Sequence, residues 1–192
     1  MKIKHALLGK TLLAAAIATS LSAFASVTLA ETDSAKGGIN AVYIAKSALA
    51  SSLTITDPAK LGTWVDVPGA TVTVDRPNNT TQLYVARFSA ESICSGAVSA
   101  WCQVRILAGK NELSPASGTD FAFDSTWDGA RPASSWQAHA MERSTSFAGT
   151  CSGKVTTTFK VQYKVSAVGA TFRLDDWHFT VEAMGKGDFF TC

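Results

Sequence analysis

Few side chains in this sequence have chemistry to offer, and their spacing decides how little of it is catalytic. Only two histidines, His139 and His178, lie beyond residue 30. A zinc hydrolase with three histidine ligands is therefore excluded. His139 and Glu142 could supply half of a metal site. They fall, however, in an alternating run, 136–143, where residues three apart point to opposite faces of a strand. That spacing suits a helix, so no metal is expected there. His178 sits between Trp177 and Phe179, both of core type, and is expected to face solvent beside Thr180 and Glu182. Serine catalysis needs a nucleophile beside a histidine and an acid. No G-x-S-x-G elbow occurs, and nothing in Ser89-Ala90-Glu91-Ser92 marks one serine as activated. No catalytic residue is assigned.

The carboxylates offer two further chemistries. Asp175 and Asp176 are adjacent, so on a strand they point apart rather than flanking a glycosidic bond; they read as the turn between the last two strands. Asp120, Asp124 and Asp128 present oxygen ligands suited to calcium, although a spacing of four differs from that of an EF-hand loop and no glycine occupies the bend. Calcium is the one cofactor the sequence admits.

Flat aromatics are the stronger lead. Trp64, Trp101, Trp127, Trp136 and Trp177 fall at strand starts or in loops, and tryptophan is favoured at binding surfaces. Trp177 shares the phase of Phe179 and Val181 and is expected in the core. Trp101 is out of phase with Val104 and Ile106, and Trp127 lies in the loop 125–135 with Gly129 and Pro132. Trp127, Trp101 and His178 are the candidate ligand-binding residues.

The elements that must position these residues are strands. Period-2 alternation is clearest from Val155 to Val165, where apolar residues alternate with Thr156, Thr158, Lys160, Gln162 and Lys164. The run 82–88 is apolar on both faces apart from Arg87, as a central strand is. Phe121 and Phe123 flank Ala122, and further alternation covers 71–74, 102–106, 170–174 and 177–183. Turn signals such as Pro68-Gly69, Gly109-Lys110-Asn111 and Asp128-Gly129 separate the runs. No window shows a sustained helical period. The expected fold is all-β: an antiparallel β-sandwich or jelly roll spanning 62–192. It is preceded by a partly loose segment, 31–61, in which Ala41 to Ile44 and Leu53 to Ile55 could be edge strands.

Residues 1–30 carry Lys2, Lys4 and Lys10, then an apolar run from Leu12 to Leu21, then small residues offering cleavage after Ala25 or Ala30. That is the pattern of a secretory signal peptide. The run is too short to span a bilayer well. Export to the periplasm or the medium is expected, with disulfides permitted. Four cysteines allow three pairings. Cys94 and Cys102 flank a turn containing Gly96 and are expected to pair and pin a hairpin. Cys151 is then left to join Cys192, giving two disulfides. Without the three leading lysines, 14 Lys and Arg face 15 Asp and Glu, a net charge of −1. That balance argues against nucleic acid and against a charge-driven membrane partner.

The residues Trp64 to Gly69, Phe88 to Ser92 with Cys94, Trp101 to Ile106, Met141 to Ser144 and Leu174 to Trp177 resemble those of small secreted bacterial β-sandwiches of unassigned function. The strand order is loosely similar to the C1q/TNF-like jelly roll. The resemblance implies a recognition or self-assembly module, and so a homo-oligomer. The leading expectation is a non-enzymatic binding, recognition or structural protein. The partner would be a glycan or another secreted protein. The alternative is a carbohydrate-binding module using exposed tryptophan, and a third reading is a hydrolase on a jelly-roll scaffold centred on His178 or His139.

Overall fold

In the computed structural model the described residues are 38–47, 53–55, 62–76, 81–97, 99–118, 121–126, 135–149, 151, 153 and 155–185. The chain divides into Met1–Ala30 and Glu31–Cys192, and every described residue belongs to the second unit.

Ten strands follow in order: β1 (Ile39–Lys46), β2 (Leu53–Ile55), β3 (Val65–Arg76), β4 (Gln82–Ser95), β5 (Trp101–Ala108), β6 (Asn111–Glu112), β7 (Asp124–Ser125), β8 (Gln137–Phe147), β9 (Val155–Val165) and β10 (Thr171–Met184). Sheet A has the order β1-β10-β4-β8, with β2 also on β10. Sheet B has the order β3-β9-β5-β6, with β7 also on β5. Every pairing is antiparallel. From β3 to β5, and again from β8 to β10, successive strands alternate between the sheets, an order compatible with a jelly roll. Both short segments expected near the N-terminal end are strands, lying within β1 and as β2. Phe121 and Phe123 precede β7 rather than forming a strand of their own.

Alternation translates directly into layers. Phe159, Val161, Tyr163 and Val165 of β9 are buried between the sheets, whereas Lys160 and Lys164 are only half-buried on the other side. Tyr84, Phe88, Phe172 and Phe179 of sheet A meet them in one continuous core. Tyr84 stacks on Phe159 at 5.5 Å and Tyr163 meets Phe172 edge-on at 6.4 Å. Each fully buried aromatic of this kind contributes about 2–3 kcal/mol. Trp177 is buried, as its phase requires.

Two readings of the sequence are corrected. Cys94 and Cys102 do form a disulfide, with Cα atoms 5.9 Å apart. They do not pin a hairpin, because β4 belongs to sheet A and β5 to sheet B. The bridge is buried and fastens one sheet to the other. It is the one disulfide seen among the described residues; the expected partner of Cys151, Cys192, lies outside them. Asp175 and Asp176, read as a turn, form a bulge inside the single strand β10. Its register on β4 shifts between Asp175 and His178, and Asp176 has φ +44°. Before the bulge Phe172 and Leu174 face the core; after it Trp177, Phe179, Val181 and Ala183 do. One extra residue inverts the phase.

Candidate functional site

Two outer faces carry most of the candidate side chains. On sheet B, the register sets Val65 opposite Tyr163 and Lys164 opposite Gln103, so Trp64, just before β3, lies beside Lys164. The Arg105 guanidinium carbon is 4.4 Å from the centre of the Trp64 ring and the Lys164 Nζ is 4.5 Å from it. Arg105 Nε and Nη2 donate to Gln162 Oε1 at 2.9 and 2.6 Å. Gln162 Nε2 in turn donates to Asp66 Oδ1 at 2.6 Å, and Lys160 Nζ donates to Asp66 Oδ2 at 3.0 Å. The Gln162 hydrogen bond, then that of Lys160, holds the Asp66 carboxyl below its usual range. Burial lowers the pKa of Arg105, against the pull of Glu112, whose Oε2 is 3.9 Å from Nη1. Lys164 makes no ion pair among the described residues.

Trp101 opens β5 on this same side, since Cys102, Val104 and Ile106 face the core. It is half-buried rather than fully exposed, and its backbone N–H donates to Ser166 Oγ at 2.7 Å. Along β5, Trp101 and Arg105 stand about 13 Å apart on one face.

On sheet A, Arg87 occupies the centre. Its Nε donates to Glu142 Oε2 at 2.5 Å and its Nη1 to Glu182 Oε1 at 2.6 Å, tying β8, β4 and β10 together. Glu182, then Glu142, raises the pKa of Arg87 by accepting these bonds. Beside Arg87 lies a shallow depression of about 400 Å³ lined by Ser89, Glu142, His178 and Thr180. His178 is exposed, and its Nδ1 is 3.1 Å from Thr180 Oγ1. Trp136, 39% exposed, immediately precedes β8 of this sheet, with the Arg173 guanidinium 4.8 Å from its ring centre.

Between the sheets, Asp124 accepts from Ser92 Oγ at 2.7 Å and from the Ser125 N–H, and lies 3.8 Å from His139 Nε2. Among the described residues that nitrogen has no hydrogen-bond partner. His139 points inward and Glu142 outward, as the strand spacing requires. Among the described residues no group of three His, Cys, Asp or Glu could hold a metal; Asp120 and Asp128 lie outside them.

The three candidate residues therefore do not converge. Trp101 is on sheet B and His178 is on sheet A, each facing outward, while Trp127 lies outside the described residues. Lys164, Arg105 and Arg87 were missed, although they sit on the polar phase of alternating strands, and Trp64 was named among the five tryptophans but not among the candidates. Cross-strand register, which the sequence does not print, decides which of them meet.

No protein-family model and no curated protein matches the chain. Among solved structures it is similar to dimeric latent PorU from Porphyromonas gingivalis, at 13% identity and a TM-score of 0.35, over 81% of this chain. The match spans 14% of the PorU chain.

Sheet B presents indole surface beside amide, guanidinium and ammonium donors, and sheet A presents a polar hollow.

Proposed function

We propose that this chain is an exported, non-enzymatic β-sandwich that recognises a glycan on the outer face of sheet B, one form of the broader binding or structural role. The observation that carries the reading is Trp101 on the same face as Trp64, Arg105 and Lys164. An indole takes the apolar C–H side of a sugar ring, and charged or amide donors take its hydroxyls. The test is a glycan array with the wild type, Trp101→Ala and Trp127→Ala. Binding abolished by Trp101→Ala supports this face; binding lost only with Trp127→Ala moves the site to the loop 125–135. An array without binding leaves a structural or protein-recognition role.

Support for export comes from residues 1–30 and from the buried Cys94–Cys102 disulfide, which persists in oxidising compartments. Among the described residues no helix is long and apolar enough to cross a membrane. Expression in a bacterium with N-terminal sequencing of the exported product tests this, Ser26 or Glu31 being the expected first residue. The strand order supports the jelly-roll form of the sandwich. A homo-oligomer finds support in Val42 and Ile44 of β1, 48% and 58% exposed, and sedimentation across concentrations tests it. The calcium reading of Asp120, Asp124 and Asp128 is tested by thermal shift with calcium and with magnesium.

A further inference from the structure

Trp64 is the residue around which the ligand class can be argued, and the argument rests on the sheet B reading above. Its ring is not an empty platform. Two cations approach it from two strands, Arg105 of β5 at 4.4 Å and Lys164 of β9 at 4.5 Å. Both therefore lie within 9 Å of each other, twice the longer distance to a common centre. A cation held against an aromatic face keeps its charge while losing side-chain freedom.

The other charges on this face leave that pair underneutralised. Asp66 is engaged by Lys160 and Gln162. Glu112 stands at 3.9 Å from Arg105. Among the described residues Lys164 has the ring and no carboxylate. Arg105 gives two of its five N–H donors to Gln162, so further donors remain for a ligand. Trp101, further along the same face, is left to stack.

We propose that the outer face of sheet B binds an acidic saccharide, whose carboxylate or sulfate sits between Lys164 and Arg105 against Trp64 while a neighbouring sugar ring lies on Trp101. The two acid groups share one chemistry, an anion accepting charge-assisted hydrogen bonds, and the probes separate them.

The test titrates the purified, disulfide-bonded protein with a galacturonic acid hexamer, a heparin hexasaccharide and neutral cellohexaose, at low and high salt. At least one acidic probe is expected to bind about tenfold or more tightly than the neutral one, with affinity falling as salt rises. Lys164→Ala should remove most of that preference, weakening the acidic probe about tenfold more than the neutral one; Lys164→Arg should restore it. Equal binding of neutral and acidic probes, or an equal loss for both in Lys164→Ala, overturns the inference and leaves the glycan reading standing. Acidic binding that needs Lys164 but ignores Trp101→Ala keeps the anion site and sinks the glycan reading. Failure of all three probes overturns the inference, and the array then judges the glycan reading alone.

Discussion

Each outer face of the sandwich has an arginine on an inner strand, Arg87 on β4 of sheet A and Arg105 on β5 of sheet B, and the two serve different ends. Arg87 finds a carboxylate on each neighbouring strand, one of them Glu182, whose side chain is only 15% exposed. It is a cross-tie. Arg105 finds an amide on its neighbour, Gln162, and a glutamate only at 3.9 Å. Its charge stays available. A residue type does not fix its role; the residues that register sets opposite it do. Where carboxylates flank a cation they tie the strands together, and where amides and rings flank it its charge is left less neutralised.

The largest effect expected bears on both faces at once. Cys94→Ala with Cys102→Ala should lower stability by about 2–4 kcal/mol in urea unfolding, because the bridge joins the two sheets. Unchanged stability would mean that the faces are coupled by packing alone. Next, Arg87→Ala should cost about 1 kcal/mol, since its two ion pairs are partly solvated and Glu182 is left without its partner. Lys164→Ala should cost less than about 0.5 kcal/mol. Equal losses would erase the distinction between a cross-tying cation and one held only against a ring. A finer probe is acid. The folded pKa of Asp66 lies below its ordinary value of 3.8, so its stabilising contribution is complete above that value and is lost as pH falls through the folded pKa. Asp66→Asn should flatten the acid limb of stability below pH 3.8, read by unfolding at stepped pH. The smallest effect belongs to His178→Ala. That residue is exposed, and its loss should move stability by no more than about 0.5 kcal/mol.

Much of the fold was legible. Alternation marked β9 and both halves of β10, and the phase of Trp177 put it in the core. The bulge was misread because two short alternating runs separated by paired aspartates look the same as two strands and a turn. The residue count hinted otherwise: Leu174 and Trp177 are both core residues, three positions apart, which is what one inserted residue produces. The disulfide pairing was legible from proximity in sequence, while its role was not, because adjacent strands were taken to be partners and here they lie in opposite sheets. The site was less legible. Trp101 could be assigned a face from its phase, but Lys164 looks like any solvated lysine until β9 is set against β5 and β3.

The position of β10 has a consequence in time. It is the last described strand, yet it stands between β1 and β4 in sheet A, which have no pairing with each other. Asn40 Nδ2 donates to the carbonyl of Gly185, 145 residues away. Contacts this distant in sequence close late. Whatever emerges first from a ribosome finds sheet A incomplete until residues 171–184 arrive. The architecture itself keeps the chain from finishing early.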